Sequence, residues 1–246
     1  MPVRREGYKF CQEISIPCYN TDAWARLKPA AFMDYAQDIA YWAASELGFG
    51  YENLHVHHTA WVLARMHVHF EEPLRWKDNV TLFTWHKGAN GLFYLRDFDL
   101  KDTEGSSRIT ATSSWVVIDE RTRRMVRPED LKDLLDPDLN VDNAIEEPAP
   151  KLFAPKAIEP AMQHTVSYSD LDINGHTNNA RYVVWAMDCL PPEVTQKPLK
   201  DLYINFIKET IPGDAVSLCC SCDADAWYVE GKVEDKTCFL VKMLFS

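Results

Sequence analysis

The chain has 246 residues, 46% hydrophobic and 12% aromatic, which is ample for a packed core and argues against disorder over most of its length. No run of about 18 apolar residues is available to span a bilayer, and the start, Met1 to Lys9, is charged and lacks the apolar segment of a signal peptide, so a cytoplasmic protein is expected. The net charge of −11, with aromatics interleaved among apolar rather than basic residues, argues against nucleic-acid binding.

In chain order, Phe10 to Ile16 reads as a strand that leads through Tyr19-Asn20-Thr21-Asp22 into a helix. Phe32, Tyr35, Ala36, Ile39, Ala43 and Leu47 keep one apolar stripe, Pro29 stands where helices tolerate proline, and Gly48 where they end. Strands follow over Thr59 to Phe70, Val80 to His86, Leu92 to Leu100 and Arg108 to Ile118, with turns at Asn90-Gly91 and Asp102-Thr103-Glu104-Gly105. Pro128 to Lys156, rich in Pro and Asp, reads as a linker with a short helix near Leu131 to Leu135.

Beyond the linker the order recurs. A strand around Gln163 to Tyr168 precedes a helix from about Asn179 to Cys189, capped by Thr177 or Asn178, with Ala180, Val183, Val184 and Met187 on one apolar face. Strands follow over Leu202 to Ile207, Ala215 to Cys222, Ala226 to Val233 and Thr237 to Phe245, the last two joined by a turn at Glu234-Asp235-Lys236. Phe70, Asp78, Val80 and Leu82 correspond to Phe206, Asp214, Val216 and Leu218 at a constant offset. Two copies of a strand–helix–sheet unit imply an α+β class, with halves at 1–127 and 157–246 joined by 128–156.

Seven cysteines are scattered along the chain and read as reduced thiols. Cys219-Cys220-Ser221-Cys222 lies in a strand-like run, where adjacent side chains point to opposite faces, so packing is expected rather than a metal. His67 and His69 lie opposite Val62, Ala64, Met66, Val68 and Phe70, which predicts a solvated sheet face for both, and no metal is expected there.

Chemistry concentrates in Ser169 to Tyr182, where Asp172, Asn174 and His176 precede the second helix. A helix start offers backbone N–H groups and a positive dipole end, suited to a developing oxyanion without metal. Asx and Gly types also form turns on their own account.

The run Asp172-Ile173-Asn174-Gly175-His176-Thr177-Asn178-Asn179, with Tyr182, Trp185 and Pro191 after it, resembles the D-x-N-x-H-x-N-N signature of the plant and bacterial acyl-acyl carrier protein (acyl-ACP) thioesterases. The similarity extends to Trp61-Val62-Leu63-Ala64-Arg65-Met66, Pro73, Trp76-Lys77-Asp78, Asn90-Gly91, Arg96-Asp97 and Ser113-Ser114-Trp115-Val116-Val117. It implies two tandem hotdog domains, each a curved antiparallel sheet wrapped around a central helix, with the acyl pocket in the first and the catalytic residues in the second. It implies hydrolysis of an acyl thioester, without cofactor or metal, by Asp172, Asn174, His176 and a strand glutamate that matches Glu209. The family mostly has a cysteine after that glutamate and this chain has Thr210, which counts against a thiol nucleophile. Asp172 is then expected to attack the thioester or activate water, with Asn174 orienting, His176 and Glu209 tuning charge, and Asn174 and the helix N–H groups holding the oxyanion. The division of labour between Asp172 and Glu209 stays open.

In the family the acyl chain lies in a tunnel lined largely by the first half, whose helix carries Phe32, Met33, Tyr35, Ile39, Tyr41 and Trp42. The implied partner is acyl carrier protein, itself acidic, so basic clusters must dominate docking against the net charge. Arg121 with Arg123 and Arg124, Arg4 with Arg5, and Lys197 with Lys200 are the candidates. Self-association as a homodimer is left open. The competing readings are an acyl-coenzyme A thioesterase of the same fold, a hotdog dehydratase, and a non-catalytic acyl-binding module.

Overall fold

The computed structural model describes residues 3–127, 130 and 141–246, so the helix expected at Leu131 to Leu135 lies outside the described residues. In the first half, strands β1 (Arg4–Glu6) and β2 (Lys9–Ser15) lead to helix α1 (Pro29–Glu46) and a short α2 (Tyr51–Val56). Strands β3 (Thr59–Phe70), β4 (Asn79–Asn90), β5 (Phe93–Asp102), β6 (Ser107–Asp119) and β7 (Met125–Val126) follow. The second half comprises β8 (Glu159–Thr165), α3 (Asn179–Asp188), a one-turn α4 (Pro192–Thr195), β9 (Leu199–Phe206), β10 (Ala215–Asp223), β11 (Ala226–Val233) and β12 (Lys236–Phe245). No helix among the described residues is long and apolar enough to cross a membrane.

The strands join into one sheet in the order β1-β2-β4-β5-β6-β3-β9-β12-β11-β10-β8, with β7 paired to β6. Outward from the β3–β9 seam, β6, β5, β4 and β2 on one side match β12, β11, β10 and β8 on the other. The sequence duplication is therefore a two-fold arrangement whose halves meet along paired strand edges, leaving neither central edge open to other chains. Each half packs its sheet around its own helix: Phe32, Ala36 and Ile39 of α1, and Ala180, Val183 and Ala186 of α3, are fully buried in one core. That accounts for the apolar stripes of both helices. Residues 142–152 strap the two halves from outside. Asp142 O accepts from Trp85 Nε1 (2.7 Å), Asp97 Oδ2 from Ala144 N (2.7 Å), and Asn205 bonds Leu152 N and Pro150 O.

Three expectations need correction. In β3 the register shifts between Leu63 and Arg65. The bulge moves Leu63 inward and leaves Val62 exposed, so the alternation holds for Met66 and Val68 but not ahead of them. Nor is the His67/His69 face solvated, because the seam covers it. His67 Nε2 and His69 Nδ1 both lie 2.9 Å from Asp201 Oδ1 on β9, and the His67 ring stacks on Tyr203. Cys220 packs at the core margin as expected, but Cys222 is exposed, and Cys219 and Cys222, three apart on β10, fall on opposite faces.

The seam predicts acid sensitivity. Burial pushes His67 below the ordinary imidazole range, with Asp201 only partly opposing it. Burial would raise Asp201, yet the bonds from His67 and His69 hold it low. Both folded-state values are thus depressed, so the stability they contribute is full above the unfolded values, about 6.5 for His and 3.9 for Asp, and is lost as pH falls through them. Urea midpoints should fall from pH 7.5 to pH 5 and further toward pH 4, and His67→Gln should flatten the upper part of that slope. An unchanged slope in the variant would remove His67 from the account.

Candidate active site

The loop ahead of α3 is built by two carboxylates. Asp170 Oδ2 accepts the Ser167 N–H (2.8 Å) and lies 2.9 Å from His164 Nε2, closing a capping box on the turn Tyr168–Asp170. Burial alone would raise Asp170, but these hydrogen bonds hold it below the usual carboxylate range. Two residues on, Asp172 Oδ1 accepts from the backbone N–H of Asn174 (2.8 Å) and of His176 (3.2 Å), while Asp172 N donates to His176 O (2.8 Å). Gly175, at φ 75°, supplies the left-handed residue this turn requires. Asn174 Nδ2 reaches Asp172 Oδ2 at 3.4 Å. The expected turn chemistry is therefore real, and it presents Ile173, Asn174 and His176 outward.

A second loop, between β9 and β10, lies against the first. Thr177 N donates to Thr210 O (3.0 Å). The Thr210 hydroxyl, fully buried, sits 2.6 Å from Thr177 Oγ1 and 3.0 Å from the Tyr182 hydroxyl, which also accepts the Thr210 N–H (3.1 Å). Thr210 is thus locked into packing. The knot sets its neighbour Glu209 beside the other loop, with His176 Nδ1 3.4 Å from Glu209 Oε2. The other carboxylate oxygen is paired with Arg123, which comes from the opposite half, on the turn after β6, in a left-handed conformation (φ 58°). Arg121 of the same turn contacts His58.

These groups border a cavity of about 570 Å³, within the range of small-molecule sites. Asn174, His176 and Glu209 line it from the second half, and Tyr41, Ala44, Phe49, Trp61, Tyr94 and Trp115 are among its lining from the first. Asp172 is not part of the lining. Of the α1 residues expected along the tunnel only Tyr41 lines it. Phe32, Met33 and Ile39 point into the core, Tyr35 packs at its edge, and Trp42 is half exposed, because the cavity meets α1 on the turn of Ala40 and Ala44. Two polar groups also border it. Desolvation lowers Arg96 to about 10, its guanidinium donating to Thr84 Oγ1 at 3.2 Å, and raises the Tyr94 phenol to about 12.

The helix mouth differs from expectation. Asn178 Oδ1 caps α3 by accepting the Ala180 N–H (2.8 Å), and the amides of Thr177, Asn178 and Arg181 are bonded to Thr210, Asp170 and Asn178. Those four donors are committed to folding, which leaves the Asn174 side chain as the cavity-facing amide of the loop. Among the described residues no group of three or more His, Cys, Asp or Glu could hold a metal ion. Sequence reasoning treated Arg123 as a docking charge. Its place beside Glu209 depends on the pairing of the two halves, and no local pattern signals it.

Residues 7–135 match the acyl-ACP thioesterase N-terminal domain and residues 155–240 the C-terminal domain. The chain is 31% identical over 223 residues to the chloroplastic acyl-[acyl-carrier-protein] hydrolase FATB2 of Cuphea viscosissima, covering 84% of this chain and 53% of that protein. It is 28% identical over 222 residues to the palmitoyl-acyl carrier protein thioesterase of Arabidopsis thaliana, covering 83% and 53%. The chain thus spans about half the length of these relatives. Among solved structures it is similar to an acyl-ACP thioesterase from Bacteroides thetaiotaomicron, with a TM-score of 0.82, 26% identity, and coverage of 97% of this chain and 98% of the other. Against the 12:0-ACP thioesterase of Umbellularia californica the TM-score is 0.86 at 20% identity, covering 99% of each chain. These likenesses show the fold, two tandem hotdog units.

Proposed function

Since the chain belongs to the acyl-ACP thioesterase family, we propose that it hydrolyses acyl-ACP to free fatty acid and carrier thiol. The observation that carries this reading is the meeting of His176, Glu209 and Asn174 on the wall of one largely apolar cavity. In the proposed reaction Glu209 takes a proton from a water molecule as the water oxygen bonds to the thioester carbonyl carbon. The Asn174 amide donates to the carbonyl oxygen as charge builds there. Collapse of the adduct breaks the carbon–sulfur bond, and the proton passes through His176 to the departing sulfur. Arg123 orients Glu209 from the other half. Asp172 acts through its neighbours, holding Asn174 and the His176 backbone in register, which is the role favoured by its bonds over direct attack on the carbonyl.

The carrier is recognised, in this reading, by the turn that delivers Arg123, because Arg121 and Arg124 stand exposed on it. An acidic partner is attracted to such a patch even against an acidic whole. Fatty acid release from a ladder of carrier-bound chains, measured beside matched coenzyme A esters, tests the reading. Carrier-bound substrates should be turned over faster, and no release from any chain would overturn it. Arg121→Glu with Arg124→Glu should raise KM for the carrier substrate about tenfold while moving the coenzyme A ester by less than about twofold. Equal effects on both would remove the docking surface and favour the coenzyme A reading.

A further inference from the structure

The two-fold duplication reproduces the active-site loop on the opposite side of the molecule. In the first half the turn Cys18–Asn20 stands where Tyr168–Asp170 stands in the second. Asp22 N donates to Arg26 O at 2.8 Å, and Asp22 Oδ1 accepts from the N–H groups of Trp24 and Arg26 (2.9 Å each), the pattern that Asp172 makes with Asn174 and His176. Thr21 bridges Leu27 as Leu171 bridges Thr177. Leu27 N donates to Leu74 O (2.8 Å) as Thr177 N does to Thr210 O. Ala25 is left-handed (φ 60°) where Gly175 is, a conformation an alanine rarely adopts without such a scaffold.

This correspondence sets Trp24 at the place of Asn174, Arg26 at that of His176 and Pro73 at that of Glu209, so the acid–base groups are gone. Arg26 is consumed by Asp22 and by the carbonyls of Thr195 and Gln196. The cavity persists nonetheless, at about 630 Å³, with Phe70, Leu74, Ile109, Val184, Met187 and Leu190 among its lining. A chain under no demand to keep this space open gains by filling it, since each lost contact costs packing energy. Its charges are uneven. Asp22 is paired with Arg26 and Asp34 with Arg181, which leaves the exposed Asp188 against Lys28 and Lys197. Lys28 and Lys197 also line the cavity and have no acidic partner among the described residues.

We propose that this second cavity is a non-catalytic site for a long-chain fatty acid anion, its chain on the apolar lining and its carboxylate on Lys28 and Lys197. The choice of an acyl ligand rests on reading the first cavity as the acyl site. The anionic head group rests on the two lysines, which have no acidic partner among the described residues, although Lys28 Nζ donates to the Tyr19 carbonyl at 3.2 Å. The full chain titrated with cis-parinaric acid, a fluorescent fatty acid, should bind two equivalents. Val184→Trp, which fills the second cavity, should leave one equivalent with thioester hydrolysis within about twofold of wild type, and Ala44→Trp, which fills the first, should leave one with hydrolysis lost. Should the tryptophan at 184 disturb folding, Lys28→Glu with Lys197→Glu serves instead, weakening the second equivalent by about tenfold or more and sparing the first. A single equivalent that Ala44→Trp removes and the second-cavity variants spare would overturn the proposal and leave the first cavity's reading intact, and no binding at all would overturn the proposal and count against the acyl reading of the first cavity as well. A single equivalent that survives Ala44→Trp and is lost in Val184→Trp would uphold the second site and refute the acyl reading of the first.

Discussion

Replacing Glu209 by Gln should lower kcat for thioester hydrolysis by about a thousandfold, within the range a general base contributes. The fold should not register the change. Glu209 is a partly exposed side chain whose partners, Arg123 and His176, are themselves partly exposed, and pairs of this kind contribute little to stability. Gln keeps the volume and the hydrogen bond from Arg123 while removing the basic oxygen. His176→Ala should cost a similar factor, and the double variant little more than either alone, because the two groups act on one proton path. Asp172→Asn keeps an oxygen for the amides of Asn174 and His176 but presents an NH2 group toward Asn174 Nδ2, setting donor against donor. It should cost about a hundredfold through misorientation of Asn174. Asp22→Asn, the same change in the other copy of the loop, should leave hydrolysis untouched. A single turnover in ¹⁸O-water tests the Asp172 carboxylate for covalent participation. With Glu209 as base the label goes to the fatty acid alone, and label in the Asp172 carboxylate would instead show that Asp172 attacks the thioester and forms an anhydride.

Much of this arrangement is written locally. The apolar stripes of α1 and α3, the Asn178 cap, and the turns at Gly91, Gly105 and Glu234-Asp235 follow from spacing and from backbone angles that few residue types adopt. The helix stripe was legible and its use was not. Periodicity marks which face of α1 is apolar, while the division of that face between core and cavity depends on where α2, β3 and the other half come to rest. The histidines of β3 show the same limit. Their alternation is readable, but the strand that covers them is more than 130 residues away and supplies Asp201. Asp172 is the instructive case among the site residues. Its spacing to Asn174 and His176 is the pattern of an Asx turn as much as of a catalytic loop, and Asp22, in a loop without those partners, makes the same bonds. The motif locates the site, and three-dimensional contacts decide which of its members face the substrate.

Thr210→Val should destabilise the protein by about 2–3 kcal/mol and leave kcat within a few-fold of wild type. The valine fits the space but strands the buried Thr177 hydroxyl and leaves the Tyr182 hydroxyl with the backbone N–H of residue 210 alone, and an unsatisfied buried group costs about 1–3 kcal/mol. Tyr182→Phe should cost about 2 kcal/mol by orphaning the Thr210 N–H and removing one of the two partners of its hydroxyl. In a chain of this length such losses correspond to a fall in Tm of roughly 5–10 °C. The two changes should be far from additive, since each breaks the same knot, and the coupling read from a double-mutant cycle in urea should exceed about 1 kcal/mol. Thr210→Cys retains only a weak donor and acceptor in place of the hydroxyl, so it should fall between wild type and valine in stability. A threonine serving as nucleophile predicts the reverse pattern. Thr210→Val would then be inactive at unchanged stability, and Thr210→Cys would retain turnover with a covalent acyl-enzyme visible by mass spectrometry. The hydroxyl's two buried partners, and the absence among the described residues of any carboxylate or imidazole bonded to it, argue that stability will move and turnover will not.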